Sequence, residues 1–443
     1  MTKDSTLSFK TLFYISLGLI IYMPLHVLIV QWFSLATGSI EIWKAAKDVL
    51  LFSGSPILLY LSWRRGLFKD KNFRILFALG AVYALIHGLF LLLDNDDHDL
   101  SAVAGTVFNT RLLAYLLLGY LVGSAKNGQL YLKYLLTTSI IIASLVALFG
   151  VAQYFLPHDL LTYAGYTLER GVKPLFFIDD KPDLPRVMST LKDPNSLGAY
   201  LILPIILSGL AFTKNKFNKE LFVRPFRRSV LAAMLITQLG ALFLTFSRGA
   251  LLAFFLSVFV AFILVSRQQI RQFIKKFSVP LLVVIIAGSF VVFSAKDSYI
   301  FQNVVLHADE STVLADPNEL RVQLAQEALV DVLEGPIGHG PGSAGLVSVS
   351  NPQGGILTEN YYLQIAYEVG WLGLLLFVVI LSIIMYQLSV IGRKNPAAIV
   401  LFSAGVGYIF YSFLIHLWSN EAVALQWWLL TGTFLGTRAM FGE

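Results

Sequence analysis

The chain has 443 residues, of which 56% are hydrophobic and only 14% charged, with a mean hydropathy of +0.71 and a formal net charge of +6. This balance excludes a soluble globular domain, and the absence of cysteine excludes a structural disulfide or a thiolate metal site. The positive charge sits largely in short loops between apolar runs, where anionic lipid is a sufficient counterpart, so no nucleic-acid partner is expected.

Apolar runs near the ~20 residues needed to cross a bilayer recur along the chain. They are read at 11–33, 45–63, 75–94, 103–124, 134–156, 196–213, 229–246, 249–266, 278–294, 360–387, 397–417 and 422–437. Lipid offers the backbone no water, so such runs are helices, and the alternation of a membrane barrel is absent. The expected fold is all-α: a polytopic membrane protein of about 12 transmembrane helices forming one multi-pass domain over 1–443. The first run lacks a small-x-small cleavage site and is read as a retained helix.

Lys and Arg orient the chain. Arg64, Arg65, Lys69, Lys71 and Arg74 follow the second run, and Lys214, Lys216, Lys219, Arg224, Arg227 and Arg228 follow the sixth. The loop after the third run is acidic, from Asp94 to Asp99. The positive-inside rule then places both termini in the cytoplasm and two long loops, 157–194 and 295–358, on the outer face. In the second loop Asp316-Pro317-Asn318-Glu319 is a helix start with a capping box, and Val322, Ala325, Leu329, Val332 and Leu333 recur at helical spacing. A short amphipathic helix carrying Arg321 is expected there. A glycine-rich stretch from Gly335 to Gly345 follows; it formally matches G-x-G-x-x-G but follows no strand, and it reads as a flexible lid or a phosphate nest.

Against this apolar background, Arg186, Arg248, Arg321 and Glu359 stand out at the outer boundary. Arg248 lies in the tight turn Thr245-Phe246-Ser247-Arg248-Gly249, where Ser247 adds a phosphate donor. Arg186 precedes Pro194 and Asn195, which open the sixth run, whose N-terminus favours an anion. Glu359 begins the tenth run and suits a general base. The competing readings are an interfacial anchor for Arg248, a loop cation plus a helix cap for Arg186 and its stretch, a solvated helix face for Arg321 and dipole complementation for Glu359. Arg111 lies within the fourth run, with Asp48 as a candidate partner in a structural ion pair; Glu368 is read the same way. His26, His87 and His416 read as packing residues. Asp179, Asp180 and Asp183 read as loop residues, so no metal and no cofactor is expected.

Arginines grip phosphate oxygens in pairs, so several of them beside a lipid wall suit a lipid diphosphate carrying a cargo. A polytopic transporter or flippase for a lipid-linked or anionic substrate is the rival reading, but transporters place their charges on broken helices at the midplane.

Four ordered stretches carry a family resemblance. They are Arg186 through Pro194-Asn195-Ser196-Leu197-Gly198-Ala199-Tyr200, Ser247-Arg248-Gly249-Ala250, Arg321 with the glycine-rich run, and Asn360-Tyr361-Tyr362-Leu363-Gln364 with Glu368-Val369-Gly370-Trp371-Leu372-Gly373. Over roughly 185–385 the chain resembles the bacterial O-antigen ligase and O-antigen polymerase family. The resemblance implies a metal-independent glycosyltransferase at the outer face of the cytoplasmic membrane. Its donor would be a glycan on undecaprenyl diphosphate, and its acceptor a glycan, lipid or protein hydroxyl. Glu359, Arg248 and Arg321 are the expected catalytic positions, and Arg186, Ser247, Asn195, Asn360 and Arg111 the expected substrate-binding ones. The chain departs from the family ligases in one respect: Glu359 stands where they usually place a histidine.

Overall fold

The computed structural model describes residues 3–93, 100–178, 181–266, 317–348, 355–391 and 395–439. The expected run at 278–294, the acidic stretch 94–99, the pair Asp179-Asp180 and the cap residue Asp316 lie outside the described residues.

The described chain is a bundle of apolar helices. These are α1 (Lys3–Tyr22), α2 (His26–Thr37), α3 (Ile40–Arg65), α4 (Lys71–Leu93), α5 (Leu100–Gly123), α6 (Gly128–Gln153), α7 (Pro194–Thr213), the short α8 (Asn215–Leu221), α9 (Arg228–Leu244) and α10 (Arg248–Val265). After the undescribed segment come α11 (Pro317–Glu334), the single turn α12 (Gly345–Ser348), α13 (Tyr361–Ile391), α14 (Pro396–Tyr411) and α15 (Gln426–Ala439). The protein is thus an all-α polytopic membrane protein. Among the described residues seven helices are long and apolar enough to cross a bilayer, and α9 and α14 are shorter apolar helices. The others differ for reasons visible in their residues. Glu41, Lys44, Lys47 and Asp48 crowd the first turns of α3, and α15 is rich in Gly and Thr and begins after a π-helical turn, Glu421–Leu425.

Three local departures from the sequence expectation matter. The first run is interrupted by a 3-10 turn, Met23–Leu25, at Pro24, which has no N–H to donate and whose ring crowds the carbonyl four residues earlier. The loop 157–194 contains an antiparallel hairpin, β1 (Phe176–Ile178) and β2 (Lys181–Arg186), with Phe176 opposite Arg186 and Phe177 opposite Pro185. The prolines hid it, because they cannot donate to a ladder. Finally, α13 is broken at Val369 and Gly370, where Gly370 has φ 69° and ψ −177°.

Close helix contact is built on glycine. A Cβ on Gly119 would lie 2.2 Å from Leu429 O, and one on Gly123 1.9 Å from Thr433 O; the facing Gly432 and Gly436 would meet Leu116 O at 2.2 Å and Tyr120 O at 2.1 Å. Gly119-x-x-x-Gly123 on α5 therefore meets Gly432-x-x-x-Gly436 on α15 backbone to backbone, the small-residue packing that membranes favour. Exposed aromatics cluster at both ends of α3: Trp32 and Phe33 lie beside Trp43 at one end, Tyr60 beside Trp63 at the other, with their rings tilted to one another. Such rings sit at headgroup level.

The clash at these glycines is with main chain, which cannot rotate away. Gly123→Ala is therefore expected to destabilise the protein by about 1–3 kcal/mol, read as a lower unfolding temperature in detergent, whereas alanine at Gly54, which has open space around it, should leave the transition unchanged.

Candidate functional site

The end of β2, the α9–α10 turn, α11 and the start of α13 lie at one end of the bundle. Arg186 ends β2. Its Nε donates to Thr245 O at 3.0 Å and its Nη2 to Asn195 Oδ1 at 3.3 Å, while the next residue, Val187, donates its N–H to Leu244 O at 3.0 Å. The hairpin is thereby tied to the C-terminus of α9. Asp193 caps α7: its Oδ1 accepts from Ser196 N and its Oδ2 from Ser196 Oγ, both at 2.8 Å.

Arg248 is the first residue of α10 and is exposed. Ser247 caps that helix through Ala250 N at 3.4 Å and lies 3.0 Å from the hydroxyl of Tyr411. The serine hydroxyl is buried and committed to these partners. A Cβ at Gly249 would approach Tyr411 Cε2 to 2.5 Å, so only glycine lets this turn close on the tyrosine ring. Phe246, just before, has a φ of +48°.

Arg321 projects from α11, and its Nε lies 3.6 Å from Glu359 Oε2, with the two side chains 46% and 31% exposed. This contact is too long for a hydrogen bond, so neither group is saturated by the other. Glu359 has φ +48°. Asn360 caps α13, its Oδ1 accepting from Tyr362 N at 2.9 Å and Leu363 N at 3.2 Å. On the other side of Glu359, Thr358 Oγ1 donates to Asn360 O at 2.9 Å and lies 3.1 Å from His416 Nε2.

The three arginines come from separate segments, yet the charges of Arg321 and Arg248 both bear on Arg186. Burial first, and then these two like charges, lower its pKa from the ordinary 12.5, while the Asp193 carboxylate and Tyr411 raise it. Asn195 and Asn360 lie in the same region, each with its side-chain oxygen engaged as described.

Arg111 is placed elsewhere. It is fully buried, with Nη1 3.2 Å from Asp48 Oδ2 and 3.3 Å from Glu421 Oε1, and Nη2 donating to Ser419 O at 2.7 Å. Lys47 joins the group, 3.0 Å from Asp48 and 3.6 Å from Glu421. The expected pairing with Asp48 is present, within a larger network of two cations and two carboxylates. None of its contacts is with the arginine cluster.

Two expectations are corrected. Among the described residues Glu368 has no cationic partner: its Oε2 accepts from Asn109 Nδ2 at 2.5 Å and its Oε1 from Gly342 N at 3.0 Å. Asn109 also lies 3.2 Å from His87 Nε2, and His87 Nδ1 lies 2.9 Å from Tyr83 O. The glycine-rich stretch is not an open nest. His339 N donates to Tyr367 O at 2.8 Å, Gly340 N to Glu368 O at 2.9 Å and Gly345 N to Ile356 O at 2.9 Å. The first two of these amides are spent on the broken helix, and Gly338 approaches so closely that a Cβ would lie 2.6 Å from Gly370 N. His26, His87 and His416 all have hydrogen-bonding neighbours, as packing residues should. Tyr411 and Thr358 escaped the sequence reading because nothing local to them signals a site, whereas the helix cap expected beside Pro194 is supplied by Asp193.

Residues 231–378 match the family model described as O-antigen ligase. That stretch holds Arg248, Arg321 and Glu359. A curated O-antigen polymerase from Salmonella muenchen is 20% identical over 332 residues, covering 73% of this chain and 78% of the relative. Together these two matches bear out the resemblance carried by the motifs: the protein is a polytopic membrane relative of the O-antigen ligase and O-antigen polymerase family.

Proposed function

We propose that the protein is a glycosyltransferase that moves a glycan from undecaprenyl diphosphate to an acceptor hydroxyl at the outer face of the cytoplasmic membrane. The observation that carries this reading is the meeting of Arg186, Arg248 and Arg321 beside Glu359. The polyprenyl tail would lie in the bilayer, the diphosphate on the three guanidinium groups and the sugar outside. Glu359 takes the proton of the acceptor hydroxyl as its oxygen attacks the anomeric carbon. The bond from that carbon to the phosphate oxygen breaks, and the electron pair leaves with the diphosphate. The arginines match the charge that develops on it, a role that requires no metal. Attack from the face opposite the diphosphate inverts the anomeric centre. The acceptor is a hydroxyl of a glycan, lipid or protein.

Ser247 and Asn195 serve the donor site by fixing its arginines, one through the cap of α10 and one through Arg186 Nη2. Asn360 fixes the start of α13 next to the base. Arg111 acts at a distance through Ser419 and Glu421. The broken α13 is a feature that transporters use to expose backbone to a substrate. Here the carbonyls freed by the break accept from His339 N and Gly340 N, which favours the transferase reading.

Lysine keeps charge but loses the planar fork, so Arg248→Lys should lower transfer by roughly a hundredfold in a purified assay with a lipid-diphosphate glycan; undiminished turnover removes Arg248 from the site. Glu359→Gln should bind the donor as wild type does and lose at least about a hundredfold in kcat, and a wild-type rate would refute the assignment of the base. Treatment with EDTA should leave the transfer rate unchanged, whereas loss restored by a divalent cation would require a metal-dependent reaction.

A further inference from the structure

Glu359 adopts a left-handed backbone, φ +48°, that residues with a Cβ rarely tolerate. Such a conformation persists only where its surroundings over-determine it. Thr358 is fully buried, and its hydroxyl donates across Glu359 to Asn360 O at 2.9 Å. A threonine hydroxyl has one proton to give, so in the second contact, at 3.1 Å, His416 Nε2–H is the donor to Thr358 Oγ1. Tyr361 N, one residue beyond the turn, donates to Ser412 O at 3.0 Å.

His416 and Ser412 belong to the same segment, 412–420, which links α14 to the turn before α15. The far end of that segment is tied down by Arg111, through Ser419 O at 2.7 Å and Glu421 Oε1 at 3.3 Å. Burial, and after it the charge of Lys192, pushes the His416 pKa down to about 4. The imidazole is therefore neutral at physiological pH and adds no cation to the arginine cluster.

We propose that His416 is a positioning residue for Glu359: its N–H to Thr358 holds the 358–360 turn left-handed and aims the carboxylate at Arg321 and the bound donor, and Arg111 anchors the segment that delivers it. This inference rests on the reading of Glu359 as the base. Without the imidazole donor the threonine hydroxyl loses a fixed orientation. The turn then relaxes toward ordinary negative φ, and the carboxylate leaves the side of Arg321.

The test uses the full-length protein in lipid nanodiscs with a polyprenyl-diphosphate glycan. His416→Phe keeps a buried ring and removes the donor; His416→Gln restores an N–H; Thr358→Val removes the acceptor at nearly constant volume. His416→Phe should lower kcat by about 10–100-fold while leaving the donor KM within about twofold, and His416→Gln should recover most of the rate. Thr358→Val, which also breaks the bond to Asn360 O, should lose at least as much, and the double variant should be no worse than Thr358→Val alone, because that substitution already removes the His416 contact. A His416→Phe enzyme with wild-type kcat overturns the proposal. So does a parallel rise in donor KM that glutamine fails to reverse, which marks a structural role. If His416→Phe does not fold, Thr358→Val carries the same comparison, and its wild-type kcat overturns the proposal equally. Glu359→Gln, assayed alongside, separates the two ideas. Turnover in that variant overturns the base and its positioning together, whereas an inactive Glu359→Gln beside a fully active His416→Phe overturns the positioning alone.

Discussion

Where α13 breaks at Val369 and Gly370, the carbonyls of Tyr367 and Glu368 lose their helical partners in a medium that offers no water to replace them. Much of the site's layout follows from how they are satisfied. His339 N and Gly340 N donate to them, and Trp371 N, freed on the other side of the break, donates to Pro336 O at 3.2 Å. These bonds staple the glycine-rich stretch to the helix. The stretch begins immediately after α11, so the staple also locates that helix and the arginine it carries. The break in one helix thus helps bring Arg321 to the end of the bundle where the same helix begins and Glu359 lies.

Charge is handled in two contrasting ways. In the buried network Lys47, Arg111, Asp48 and Glu421 neutralise one another, and Ser419 O takes up a further guanidinium donor. At the loop-bearing end the arginines are held mostly by neutral groups: Arg186 by a backbone carbonyl and an asparagine oxygen, and the turn before Arg248 by a serine cap and a tyrosine hydroxyl. The first arrangement is closed and serves the fold. The second sets Arg186 in a frame of neutral oxygens, the arrangement on which the proposed diphosphate site rests.

Much of this was legible in the residues. Apolar length marked the helices, and arginine set against hydrocarbon marked the site, because such residues are too costly to be placed casually in such a chain. The Arg111–Asp48 pair was readable for the same reason. Its remaining partners were not, since Glu421 is 310 positions away and opens a short irregular turn. Glycine misled in the stretch 335–345, where freedom of backbone and closeness of approach call for the same residue, and only the packing against Gly370 distinguishes them. Gly119-x-x-x-Gly123 and Gly432-x-x-x-Gly436 carried a signal in plain view, but each pattern is meaningful only once its partner is known. His416 read correctly as a packing residue. What it packs against, a threonine 58 positions earlier, could be known only from the fold.

The closed network has an evolutionary corollary. Losing one member strands an unmatched charge inside the bundle, at a cost of about 3–5 kcal/mol, whereas exchanging an opposite pair together for apolar side chains can be nearly neutral. Lys47, Asp48, Arg111 and Glu421 are therefore expected to drift as a set rather than singly. Chimaeras that join the first helices of one homologue to the last helices of another should fail whenever the crossover separates Lys47 or Arg111 from a matching acid at position 421.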